Sequence, residues 1–117
     1  MQPIAELIAF LRTRDDLRAL VKGRTMSVAF RIEEQCGVVE IRDGDVRFTD
    51  DAASDTDLSF TMNTRTFRQI LAEQVSPAVA KATGKIGSEG KLLEILWFAS
   101  VLSRTIKSYN RERSAAT

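Results

Sequence analysis

The chain has no histidine and one cysteine, Cys36, among its 117 residues. A single thiol forms no internal disulfide, and the Cys and His sets that usually hold zinc are missing. Hydroxyl and thiol nucleophiles are most often activated by an adjacent imidazole, so that route to covalent catalysis is largely closed. No pair of acids sits in apolar surroundings to serve as general acid and base. We expect no enzyme, no metal and no cofactor. Cys36 lies in the stretch EEQCG between two expected strands, where its acidic neighbours oppose thiolate formation. It reads as a spare thiol in or beside a turn.

Long apolar runs are also missing. The longest strongly apolar stretch, 95–99, falls far short of the ~20 residues needed to cross a bilayer. The opening MQPIAELIAFLRTR has Glu6 inside its apolar segment, no basic leader and no small-residue cleavage site, so it does not read as a signal peptide. A cytoplasmic location is expected. The 44% hydrophobic and 28% charged residues argue against disorder and fit one globular domain over 1–117.

The net charge is only +1, but it is unevenly spread. Glu33, Glu34, Glu40, Asp43, Asp45, Asp50, Asp51, Asp55 and Asp57 face only Arg42 and Arg47 within 33–57. The remainder is correspondingly positive, with Arg12, Arg14, Arg18, Lys22 and Arg24 early and Arg104, Lys107, Arg111 and Arg113 late. Two readings stay open: solvated faces with favourable helix-end charges, or a basic side that makes transient contact with anionic lipid headgroups.

Ile4, Leu7, Ile8 and Leu11 repeat at helical spacing behind Pro3, which predicts a helix over about 3–13. Asp15 is placed to cap a second helical turn that Gly23 ends. The period then changes to two, with Met26, Val28, Phe30 and Ile32 forming one face of a strand. Segments 38–42 and 45–49 flank Asp43-Gly44, a hairpin dipeptide. After a polar loop over 50–56, Leu58, Phe60 and Met62 alternate as a fourth strand. Asn63 then caps a helix containing Phe67, Ile70, Leu71 and Val75. Ser76-Pro77 starts a short helix ending near Gly84, residues 85–89 suit a fifth strand, and a last helix runs from 92 to about 109 before a frayed RERSAAT tail.

The stretch IGSEGKLLEI invites a phosphate-loop reading, which fails. Gly90-Lys91 is followed by Leu92 instead of a hydroxyl residue, and the position five before Gly90 is Lys85. The dinucleotide fingerprint fails as well, on glycine spacing and on context. Gly87-Ser88-Glu89-Gly90 matches a Gly-x-x-Gly clamp for RNA, yet it would present Glu89 to phosphates and no strand follows the last helix. No nucleic-acid partner is expected. The glycines instead suit a short strand that approaches other backbone closely and turns sharply into the final helix.

Within 57–95 stand Asn63, Phe67, Ile70-Leu71, Pro77, Ala80, Gly84-Lys85-Ile86, Gly90 and Ile95. With these marks the span resembles the sterol carrier protein type-two family. The resemblance implies an α+β fold: a mixed five-stranded sheet covered on one face by helices, with an apolar tunnel between the layers and no catalysis. It also implies a hydrophobic ligand, a fatty acid, sterol or isoprenoid, whose contacts we assign to Phe60, Met62, Phe67, Ile70, Leu71, Val79, Ile86, Ile95, Leu96, Trp97, Phe98, Ala99, Leu102 and Ile106. The family includes lipid carriers, accessory factors of quinone synthesis and domains appended to enzymes, so the fold does not settle the ligand.

On the last helix, Ile95, Phe98, Ala99, Leu102, Ile106 and Tyr109 form one face, while Leu93, Leu96, Trp97 and Val101 point elsewhere. That surplus apolar surface needs a cover: other helices, a bound chain, a membrane or a second protomer in a homodimer. A polar opening near Asn63, Thr66 and Arg68 is a further expectation. The leading expectation is a carrier or presenter of an apolar molecule. The alternative is a ligand-free assembly module, or an accessory factor that docks a lipid or quinone biosynthetic enzyme.

Overall fold

Two helices open the chain in the computed structural model, which describes residues 1–50 and 55–116. Helix α1 (Gln2–Thr13) has proline in its first turn and buries Ile4, Leu7, Ile8 and Leu11. Helix α2 (Asp15–Val21) corrects one expectation. Arg14, in extended backbone and without a side-chain bond to the helix's free N–H groups, is the capping residue, and Asp15 and Asp16 lie in the first turn, where their charge meets the positive helix end. Gly23, at φ +75°, follows the helix as expected.

Strands β1 (Met26–Ile32), β2 (Gln35–Arg42) and β3 (Asp45–Thr49) form an antiparallel meander. Asp43 and Gly44 make the second turn, with φ of 49° and 82°. The first turn is tighter than expected, because Ile32 already pairs with Gln35 and Glu33 takes up a φ of 56°. Cys36 therefore stands within β2 opposite Arg31, beside the turn rather than in it, and is half-buried.

Strand β4 (Leu58–Met62) lies parallel to β1, and β5 (Gly87–Glu89) lies antiparallel to β4. The sheet order is β3-β2-β1-β4-β5. The fifth strand is shorter than expected because the Lys85 N–H is already engaged, donating to Ala80 O at 2.8 Å to close the preceding helix. Of the loop expected over 50–56, residues 51–54 lie outside the described residues.

Helix α3 (Thr64–Leu71) is capped by Asn63, whose side-chain oxygen accepts from the Thr66 N–H at 2.8 Å. It ends before Val75: the Glu73 and Gln74 N–H groups fold back onto Ile70 and Gln69, and Glu73 is at φ 59°. Ser76 caps α4 (Pro77–Ala82) through the Val79 N–H at 3.1 Å. Helix α5 (Leu92–Ala116) continues well past Tyr109. The tail expected to fray is helical through Ala116, where Glu112 pairs with Arg14 at 3.2 Å and the Arg113 guanidinium lies over the Tyr109 ring. Thr117 lies outside the described residues.

The inner face of the sheet, including Val28, Phe30, Ile41, Leu58 and Phe60, shares one core with Ile4 and Leu7 of α1, Ile70 of α3, Ala80 of α4 and Phe98 of α5. Val101 belongs to the same core, so the buried side of α5 is wider than the single stripe predicted. Tyr109 ties α5 to α1, packing edge-on against Phe10 and donating a hydrogen bond to Glu6 at 3.1 Å. Among the described residues no helix is long and apolar enough to cross a membrane.

Candidate functional site

The centre of the interior is aromatic. Phe30, Phe60 and Phe98 bring their rings to within 5.8–6.0 Å of one another, which fixes the spacing between the sheet and α5. Strand alternation aims Phe30 and Phe60 inward from adjacent parallel strands, and helical periodicity brings Phe98 down onto them.

Beside this cluster lies an apolar cavity of about 40 Å³ between the sheet and α1, α3, α4 and α5. Eleven of the residues assigned from the sequence line it: Phe60, Met62, Phe67, Ile70, Leu71, Ile86, Ile95, Leu96, Ala99, Leu102 and Ile106. A second void of about 20 Å³ adjoins it and has Phe98 in its wall. The two voids share Ile4, Leu7, Phe30 and Leu102.

Two assigned residues lie elsewhere. Val79 is 52% exposed on the outer side of α4. Trp97 is half-buried on another side of α5, with the Arg24 guanidinium 4.2 Å over its ring. Six lining residues were not assigned: Ile4, Leu7, Phe30, Pro77, Ala78 and Lys81. Ile4, Leu7 and Phe30 were visible as core periodicity, but nothing local in the sequence says that α1 reaches this wall. Lys81 carried no signal. It is half-buried, and its Nζ donates to Ser88 Oγ at 2.8 Å, joining α4 to β5 at the cavity edge.

The polar groups expected near an opening are otherwise engaged. Asn63 is used as the cap of α3, Thr66 is buried, and Arg68 stands at the surface near Glu33. Bonds from the Thr64 hydroxyl and backbone N–H hold the Glu33 carboxylate below its ordinary range, and the N–H lies 2.7 Å from it. This clamp ties the β1–β2 turn to the start of α3 and so helps position Phe67. Among the described residues, no buried side-chain nitrogen or oxygen lacks a hydrogen-bond partner, and no cluster of ligating side chains is placed to hold a metal ion. What the interior offers is apolar surface with one cation at its edge.

No family model and no curated protein matches the sequence. Solved structures do. Palmitated SCP2L2 from Aedes aegypti superposes with a TM-score of 0.71 at 14% identity, over 85% of this chain and 89% of that one. The crystal structure of sterol carrier protein 2 gives 0.70 at 15% identity, over 86% and 88%. The inverting sec-alkylsulfatase Pisa1 from Pseudomonas sp. gives 0.60 at 17% identity over 72% of this chain, which spans only 14% of that protein. The α+β architecture, with its mixed five-stranded sheet and helical cover, is the fold of the sterol carrier protein 2 domains.

Proposed function

We propose that the protein is a non-enzymatic carrier or presenter of an apolar molecule, a fatty acyl, sterol-like or isoprenoid chain held between sheet and helices. Residues 1–117 would act as one such domain. The observation that carries this reading is the pair of adjoining voids, whose lining residues include one charged side chain, Lys81. Ligand pockets commonly run to about 300–1,000 Å³, so an acyl chain enters voids of this size only as the walls part. The short helices α3 and α4 are the natural moving wall. They are joined by a link that includes Glu73 in left-handed conformation, and α4 rests chiefly on α5. The palmitated Aedes aegypti neighbour lends the same fold an apolar ligand.

Affinity would come from buried area, at about 0.8 kcal/mol per methylene. Displacement of a fluorescent fatty acid by saturated acids of increasing length should therefore show affinity rising roughly fourfold per methylene. A free carboxylate would meet Lys81, so Lys81→Gln should weaken fatty acids more than the corresponding alcohols. No displacement at any length would remove carriage from first place. The exposed Leu92, Leu93 and Leu96 favour a second reading, a ligand-free assembly module or an accessory factor for a lipid or quinone biosynthetic enzyme. A tight ligand-free dimer in sedimentation would support it.

A further inference from the structure

The exposed side of α5 is divided lengthwise by chemistry. Leu93 is 80% exposed and Leu96 is 46% exposed, and the same side continues through exposed Ser100, Arg104, Lys107 and Arg111. At 3.6 residues per turn these six positions fall within an arc of roughly 80°, strung along roughly 27 Å of helix. No acid shares the arc. Glu94 and Glu112 lie nearly a quarter-turn beyond its Arg104 edge, and Glu112 is occupied by Arg14. Among the described residues, Arg104, Lys107 and Arg111 make no ion pair. Exposed Leu92 and Val79 add apolar surface at the leucine end, where α4 packs on α5.

We propose that this face of α5 docks on the surface of an anionic lipid bilayer, with Leu93 and its neighbours entering the acyl boundary and Arg104, Lys107 and Arg111 lying among the headgroups. Leucines followed by unpaired cations on one acid-free line are complementary to a surface that is apolar below and negative above. Leu96 connects this face to the interior, because it is partly exposed outside and also lines the cavity. Docking would thus place the membrane against the seam between α4 and α5 that walls the cavity. The inference rests on the carrier reading, since an apolar cargo has to be collected from and delivered to a membrane.

The test is sedimentation with vesicles of phosphatidylcholine alone and with an equimolar phosphatidylcholine and phosphatidylglycerol mixture, beside fatty-acid binding in solution on the same proteins. Wild type should favour the mixed vesicles and be released by high salt. Arg104→Gln with Lys107→Gln should lower partitioning roughly 25-fold, at about fivefold per cation. Leu93→Ser should lower it roughly tenfold. None of these side chains lines the cavity, so fatty-acid binding should be unchanged. Equal partitioning of wild type onto both vesicles, or unaltered partitioning of the variants, would overturn the docking face while leaving carriage intact. Leu93→Ser that dissolves a dimer but keeps vesicle binding would also overturn it, making the face a protein interface. Loss of partitioning in the variants of a protein that binds no fatty acid would uphold the face and defeat carriage.

Discussion

At Gly90 the backbone leaves β5 for α5 with φ +129°, and a Cβ there would lie 2.5 Å from Leu58 Cδ2 and 2.7 Å from Asp57 O. The glycine is required twice, for its dihedral and for the close approach. Gly90→Ala should destabilise the fold by roughly 2–4 kcal/mol in urea unfolding. Glu33 acts through charge: with its folded value depressed, its contribution is fully present above the ordinary carboxylate range and is lost as pH falls through the depressed value. In that acid window the unfolded chain binds more protons than the folded one. Glu33→Gln should therefore flatten the acid side of the melting-temperature profile and leave the neutral side parallel to wild type. Ala99 is the small residue of the α5 wall that faces the cavity. A phenyl ring exceeds the space there, so Ala99→Phe should cost about 1–3 kcal/mol by overpacking and should block the room a ligand would need.

At the scale of elements, capping chemistry located two of three helix starts and missed the third, where Asp15 lies in the first turn of α2 behind Arg14. Asn63 and Ser76 each hold the helix start that their position announced. Asn63→Ala should cost about 1 kcal/mol in thermal or urea unfolding and loosen α3 before the sheet melts, a sequence that hydrogen exchange would record. Strand positions were legible from alternation, because inward residues such as Val28 and Phe60 must be apolar whatever their partner. The element ends were not. The fifth strand was shortened by a helix-closing bond at Lys85, and the extra turns of α5 carry a contact from Glu112 to Arg14, a residue almost a hundred positions away. Val75 fits helical spacing but lies beyond two backbone bonds that end α3. Trp97 was assigned to the cavity because the first turns of α5 are apolar all round, and the sequence gives no sign that Arg24 covers it. Eleven cavity-lining residues were visible as apolar faces; the contributions of α1 and Lys81 to the wall depend on tertiary placement alone.

For the whole molecule, the central claim is that a close-packed interior can open to hold one long apolar chain. The voids between the sheet and the helices are small, about 40 and 20 Å³, so holding such a chain requires the walls to part. The fold is shared with the palmitated Aedes aegypti domain and with sterol carrier protein 2, at 14% and 15% identity. The most direct measurement is native mass spectrometry of the protein titrated with palmitate, beside Ala99→Phe shown by circular dichroism to be folded. The account predicts a saturable one-to-one adduct in wild type that is absent from the variant. A wild type that stays ligand-free at saturating palmitate, or an adduct undiminished by the ring at position 99, would contradict it.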